Sequence, residues 1–376
     1  MASKTATYPV LDNRALNRAT LARQLLLRRV PRTELTVAAA VAHLVGLQAQ
    51  NVKPPYYALA ARLADFGPEE LSALMESRAV GRLVTMRSTI HTHTADDCMR
   101  LRPLVQAARD RELDRFRSGL AGVDLRRLAA VARELVEDEP RTMKELREAL
   151  VVHWPDAGPF ALSVAARCSL PLVQVTPRGV WGRSGQVRLT TAQRWFGRPS
   201  EPAHEAGDTV LRYLAAFGPA SVKDFQTWSG LTRTRDVFER LRPRLAVFQD
   251  ERGAELFDLP DAPRPGADVP VPARLLPEYD NLLLSHADRS RVVSAEHKAL
   301  LWKGNQAYCT FLLDGFLAGI WRLEETGTTA TLTLQPFGSP TRAQREELAE
   351  EAGRTLARMR PELAPAVRFG AVRDGG

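Results

Sequence analysis

Between Val37 and Leu44 the chain is almost wholly apolar, with His43 the one interruption. An all-round apolar segment predicts a buried helix. The pattern runs on to Leu47 and then meets two neutral amides, Gln48 and Gln50, ahead of the Pro54-Pro55 pair. On a continued helix these amides would point about 200° apart. Gly46 is a weak helix former, and Pro54 disfavours helix in the residue before it. An extended path between them would bring both amides to one side, because strand side chains alternate with period two. Two readings stay open at this point. The amides either satisfy backbone groups at the helix end or face a site.

The remaining pattern predicts one module used three times. In the first, Asp12 caps a helix over Asn13–Arg29, the apolar helix follows, and helices are expected around Tyr57–Leu63 and from Pro68 through Met75. Val80–Arg87 and Ile90–Thr94 read as a strand pair, with His91 and His93 on one face. The second pass predicts a helix from Thr94 to about Arg117, then helices at Leu125–Val136, Lys144–Val151 behind a Thr142/Glu145 capping box, and Pro159–Ser169. Strands are expected at Leu172–Val175, Val180–Gly182 and Val187–Leu189. In the third, a helix over Asp208–Phe217 precedes one capped by Ser221 and Asp224 that ends at Gly230, and Thr234–Arg242 follows at once, a helix-turn-helix signature. Leu245–Phe248 and Glu255–Phe257 flank Arg252-Gly253 as a wing. Trp228 and Phe225, at helical spacing, belong to that module's core. A proline-rich stretch from Pro260 to Pro272 separates strands at Thr310–Leu313, Phe316–Arg322 and Thr329–Gln335, with an Asp314-Gly315 hairpin turn, and a closing helix over Pro340–Met359. The expectation is an α+β protein with three tandem winged-helix modules, residues 10–94, 95–200 and 205–260, and a β-rich C-terminal region, 273–376.

The 376 residues suffice for two or three domains. Three cysteines, Cys98, Cys168 and Cys309, lie far apart with no CxxC pairing, which argues against a disulfide framework, a zinc site or an iron–sulfur cluster. No signal-peptide run and no stretch of about 18 apolar residues is present, so a soluble, cytoplasmic, nucleoid-associated monomer is expected, with no membrane partner. The net charge is +8, carried mostly by arginine, whose planar fork suits phosphate. Lys4, Arg14, Arg18, Arg23, Arg28, Arg29, Arg32 and Lys53 face only Asp12 and Glu34 in the first sixty residues. A polyanionic partner is the natural inference, although an Arg- and Ala-rich composition also follows from a GC-rich genome.

The stretches Gly46-Leu47-Gln48-Ala49-Gln50, Met86-Arg87-Ser88-Thr89-Ile90-His91, Leu101-Arg102-Pro103, Leu276-Pro277-Glu278-Tyr279-Asp280, His286-Ala287-Asp288-Arg289 and Leu313-Asp314-Gly315 occur in an order that resembles one family over nearly the whole chain. It is similar to the bacterial winged-helix DNA glycosylases typified by the azinomycin-resistance enzyme, in the branch with a Gln-x-Gln motif. The resemblance implies that Gln48 and Gln50 are catalytic and that three winged helices form a concave duplex-binding surface. Ser88 departs from the pattern, where a glycine is expected.

That resemblance implies hydrolysis of the N-glycosidic bond of N7- and N3-alkylated purines in duplex DNA, including bulky adducts and interstrand crosslinks. Such bases are already cationic and leave without protonation, so the amides are left to hold a water below C1′ and to tolerate an oxocarbenium-like sugar. A glutamine is not a proton sink. Lys53 is the one lysine near the motif, so a monofunctional enzyme without lyase activity or cofactor is expected. An open groove rather than a base-flipping pocket is anticipated, with Tyr56 the sole stacking candidate. The residues expected to meet DNA are Lys53, Arg87, His91, His93, Arg233, Arg235, Arg289 and Arg291, although both histidines also read as plain surface donors. Glu278, Asp280, His286 and Asp288 could ligate a divalent cation; a metal-free network of Asp280, Asp288, Arg289 and Arg291 is the preferred reading. The alternative to an enzyme is a DNA-binding regulator without catalysis, which winged helices alone would support.

Overall fold

The computed structural model describes residues 8–199 and 205–372; Lys4, the expected module end at residue 200 and the last four residues lie outside them. The first helix, Asn13–Arg23, is capped by Asp12, whose carboxylate accepts from Ala15 N at 2.7 Å. It stops short of the expected Arg29. Leu25 takes a left-handed φ of 57°, and Leu26 N donates back to Leu21 O at 2.9 Å, closing the helix end. Tertiary partners replace the helical ones: Gln24 Nε2 donates to Ala216 O, and His43 Nε2 lies 2.7 Å from Arg23 O.

The apolar helix is likewise shorter than its pattern, spanning Val37–His43. Val45 and Gly46 both adopt positive φ, 53° and 86°, and Gly46 N donates to Val41 O at 2.9 Å. A β-branched residue in that region is strained. Packing holds it there, because the buried Val45 side chain joins the aromatic core around Tyr213 and Trp228. The chain leaves this turn as the strand Leu47–Gln48, followed by the helices Pro54–Arg62 and Pro68–Glu76.

That strand edges a five-stranded antiparallel sheet in the order Leu47–Gln48, Ile90–Thr94, Val80–Val84, Leu172–Gln174, Leu189–Thr191. The expected boundary between residues 94 and 95 therefore falls inside a sheet that draws strands from both sides, paired at Arg82 with Gln174 and Leu83 with Val173. The long helix expected from Thr94 is two, Ala95–Leu104 and Gln106–Asp114. The break follows Pro103, which lacks an amide hydrogen and crowds the preceding turn. Val180-Trp181-Gly182 is a turn, not a strand. Trp181 packs there against Tyr56, at 4.8 Å between ring centres, and under the Arg360 guanidinium.

The helices Ala206–Phe217, Val222–Ser229 and Arg235–Leu241 precede the hairpin Ala246–Asp250 and Glu255–Asp258. The Ser221/Asp224 capping box is present, and Gly230 ends its helix at φ 76°. Phe225 and Trp228 are buried together in this core. Val10–Leu11 adds a parallel strand to the hairpin. Beyond the linker, a second five-stranded sheet runs Ala364–Phe369, Thr329–Pro336, Phe316–Thr326, Cys309–Leu313, Arg274–Leu276, with its first pair parallel. The helix Arg342–Met359 covers it. Asp314 and Gly315 both take positive φ, as a two-residue hairpin of this kind requires.

Candidate active site

Gln48 stands opposite His91 in the sheet, and the extended path continues as Ala49 N donates to Ile90 O at 2.7 Å. Leu47 packs in the main core, and strand alternation puts Gln48 on the opposite face. Gln50 is exposed, its Oε1 3.5 Å from Ile90 N, and it sits on the wall of a cavity of about 200 Å³ shared with Ser88, Ile90 and Gln174. Gln48 is 7% exposed. The extended path anticipated between Gly46 and Pro54 is present as the strand Leu47–Gln48, and residues 50–53 bend before the next helix.

Three braces hold this strand. A Cβ at Gly46 would come within 2.2 Å of His93 Nδ1, so only glycine lets the strand close over that ring. Asn281 Nδ2 donates to Leu44 O and Gly46 O at 3.2 and 2.8 Å, serving the carbonyls that the helix end leaves open. Buried Arg82 donates from Nη2 to Ala49 O at 2.9 Å, between the two amides. Burial lowers the Arg82 pKa to about 10, helped by Arg178. Neither Arg82 nor Asn281 was singled out from sequence. An arginine inside the apolar run Val80–Val84 was the available signal for Arg82.

Arg87 reaches the site from the 3₁₀ turn Met86–Ser88, with φ 53° and ψ 21°. Ser88 follows at φ 57°, a conformation glycine adopts at no steric cost, so the departure at Ser88 puts a strained residue where glycine was expected. The Arg87 guanidinium donates from Nη1 to Trp228 O and from Nη2 to Gln48 Oε1 at 2.7 Å, with His91 Nε2 3.4 Å away. Burial, reinforced by Arg289, lowers its pKa to about 10. Rather than standing free for a phosphate, this guanidinium is committed to a carbonyl and an amide.

Both histidines are inside. His91 and His93 share a face, as alternation predicts, with rings stacked 5.4 Å apart. Phosphate cannot reach His93, which is fully buried and bonded to Thr85 Oγ1 at 2.9 Å, its pKa held down to about 4 by burial. His91 is equally enclosed. Burial, Arg87 and His93 keep its pKa well below the usual value, and Nδ1 bonds to Thr89 O. Neither is the surface donor that strand placement alone suggested.

The other candidates disperse. Arg291 is buried and donates to Thr20 Oγ1 and Pro219 O, so it is a structural residue and not a DNA contact. The expected Asp280, Asp288, Arg289, Arg291 network does not form: Asp280 pairs with Arg62 at 2.8 Å, both fully buried, and Asp288 pairs with Arg252. His286 bonds to Phe217 O, and burial with Arg291 lowers its pKa to about 3. No group of three or more metal-ligating side chains is present among the described residues. Tyr56, the stacking candidate, is buried with its hydroxyl donating to Gly179 O. Lys53 is exposed, 3.8 Å from Glu325. Arg233 and Arg235 are exposed on the third module, the latter beside Glu239 and Glu255. Arg289 is half-buried and has no ion-pair partner among the described residues.

The site is thus two amides at a strand edge, backed by guanidinium groups and neutral imidazoles, with no carboxylate bonded to either glutamine among the described residues. It has amide groups that can hold water, and it has no strong base.

This mixed helix-and-sheet architecture matches that of a DNA glycosylase: the chain is similar to the solved Streptomyces sahachiroi DNA glycosylase AlkZ, with a TM-score of 0.79 at 19% identity over 96% of this chain and 100% of that one. The family model for AlkZ-like DNA glycosylases matches residues 41–358, and the chain belongs to that family. Among characterised proteins it is similar to the interstrand DNA cross-link repair glycosylase of Streptomyces sahachiroi, 25% identical over 171 residues. That alignment covers 42% of this chain and 44% of the relative, less than half the relative's length.

Proposed function

We propose that this protein is a monofunctional DNA glycosylase that releases N7- and N3-alkylated purines from duplex DNA, bulky adducts and interstrand crosslinks included. The observation that carries the reading is two amides at the end of one edge strand, Gln48 bonded to Arg87 and Gln50 exposed with its oxygen uncommitted, with no carboxylate bonded to either among the described residues. Such a site suits a leaving group that needs no protonation. The amides position water at C1′, and the uncommitted oxygen of Gln50 presents the negative end of its dipole to the developing sugar cation. Nothing here would activate a neutral base. The burial of Tyr56 fits an open groove, since it removes the one stacking candidate near the motif. The helix-and-sheet units, the first two sharing one sheet and the third ending in its own hairpin, serve as winged helices along the duplex, with Lys53, Arg233, Arg235 and Arg289 as phosphate contacts, acting as a monomer.

The test is incubation with duplex carrying one N7-alkylguanine, followed by alkaline cleavage at abasic sites. Strand scission at the adduct is expected, with none on uracil or 1,N6-ethenoadenine duplexes. Uracil release at a comparable rate would sink the amide mechanism, and no scission on any alkylpurine would leave a DNA-binding regulator.

A further inference from the structure

Gln48 and Gln50 are chemically alike, yet their surroundings differ. The guanidinium of Arg87 carries donors only, so the atom of Gln48 that meets Arg87 Nη2 at 2.7 Å has to be its oxygen. A carboxamide is planar, with oxygen and nitrogen on opposite sides of its carbon. Fixing the oxygen inward therefore turns Nε2 outward, and that nitrogen has no protein partner among the described residues. Gln50 has no such anchor. Its oxygen lies a long 3.5 Å from a backbone amide and keeps its acceptor capacity.

Arg87 is itself held from both sides. Its Nη1 donates to Trp228 O at the end of the helix Val222–Ser229. Gly230, left-handed at φ 76°, packs on the Arg87 backbone so closely that a Cβ would lie 3.2 Å from Arg87 N. The rotamer of one amide is in this way tied to the third module.

We infer that Arg87 is a positioning residue for the glycosylase reaction: it locks the Gln48 carboxamide with oxygen inward and nitrogen toward the DNA, so that Gln48 donates while Gln50 is the principal acceptor for the water. This rests on the glycosylase reading above. The amide nitrogen of Gln48 donates to the water oxygen or a neighbouring sugar–phosphate oxygen, and Gln50 Oε1 accepts a hydrogen bond from the water without removing its proton. Without Arg87 the Gln48 amide loses its anchor, so its carboxamide is no longer held at the position the reaction needs. Misplacement of that kind costs on the order of 100-fold in rate.

The experiment is a double-mutant cycle by single-turnover excision of N7-alkylguanine, with DNA affinity measured in parallel across a salt series. Arg87→Met is expected to slow excision about 100-fold while leaving affinity within about twofold. Combined with Gln48→Ala it adds almost nothing, whereas combined with Gln50→Ala it adds a further loss. Arg87→Lys recovers part of the rate, because a lysine reaches one of the two acceptors, and it serves as the test variant if the methionine protein does not fold. Equal further losses in both glutamine backgrounds would assign Arg87 a purely structural role. Weaker binding with a salt slope reduced by about one would make it a phosphate contact. Independently of any activity, the side-chain amide resonances of Gln48 should shift in Arg87→Met while those of Gln50 stay in place. Unchanged Gln48 resonances overturn the inference even if excision is absent from the parent, an outcome that by itself counts against the glycosylase reading alone.

Discussion

Two polar stretches of this chain, Val45 to Lys53 and Glu278 to Arg291, do different work. In the second, Asp280, Asn281, His286 and Arg291 are buried and their bonds are spent, while Asp288, Arg289 and Ser290 reach the surface. Asp280 is closed by Arg62, Asn281 by the carbonyls of Leu44 and Gly46, His286 by Phe217 O, and Arg291 by Thr20 and Pro219. In the first, Gln50 is exposed and Gln48 keeps a free amide nitrogen. A polar residue whose capacity is exhausted by its own protein is a brace, and one with capacity left at the surface is available for chemistry. The Glu278–Arg291 stretch braces the strand on which the amides sit.

The contrast can be broken most forcefully at Asp280. Asp280→Ala strands a fully buried Arg62, and removing one partner of such a pair costs about 3–5 kcal/mol. Urea unfolding should show that loss. An Asp280→Ala protein with parental stability would mean that the stretch is not a brace. Next in size, Gln48→Ala and Gln50→Ala should each slow excision by about 100-fold or more, with urea midpoints and DNA affinity close to the parent. If either variant unfolds early instead, that glutamine belongs with the braces.

A smaller effect is on pH dependence, which comes from the imidazoles beside the amide strand as well as from His286 in the second stretch. His91 and His93 have pKa values lowered in the folded state, the latter to about 4, chiefly by burial; Asp97 opposes and Arg212 reinforces the shift at His93. Below about pH 6.5 the unfolded chain binds protons that these rings refuse, so stability is full above that pH and falls as pH drops toward 4. Each ring contributes up to about 1.4 kcal/mol per pH unit within its window. His93→Gln should flatten this dependence, as measured by urea midpoints between pH 7 and 5. The smallest effect concerns Arg289 and Arg291, two residues apart. Arg289→Ala should weaken DNA binding several-fold and reduce the salt slope by about one, whereas Arg291→Ala should lower stability and leave the slope alone. Matching salt slopes in the two variants would erase the distinction drawn from burial.

Much of the fold could be read from periodicity and caps. Capping boxes located the helices Met143–His153 and Val222–Ser229, alternation put His91 and His93 on one face, and Gly46 with Pro54 implied the extended path present at Leu47–Gln48. These are local effects, settled within one or two turns of backbone. No helix among the described residues is long and apolar enough to cross a membrane, in keeping with the hydropathy of the sequence.

The tertiary structure alone decided everything that depends on distant partners. Leu25 and Val45 end their helices early in left-handed conformations, which no local rule assigns to leucine or valine, and packing in the aromatic core holds Val45 there. Strands on either side of residue 95 merge into one sheet through pairing at Arg82 and Gln174. Arg87 and Arg291 looked alike as basic residues, and burial turned the first toward Gln48 and the second into a brace. A sequence specifies which groups need partners. Which groups find them inside, and which are left facing the surface, is a property of the packed chain, because the cost of burying an unpaired polar group is set by neighbours hundreds of residues away.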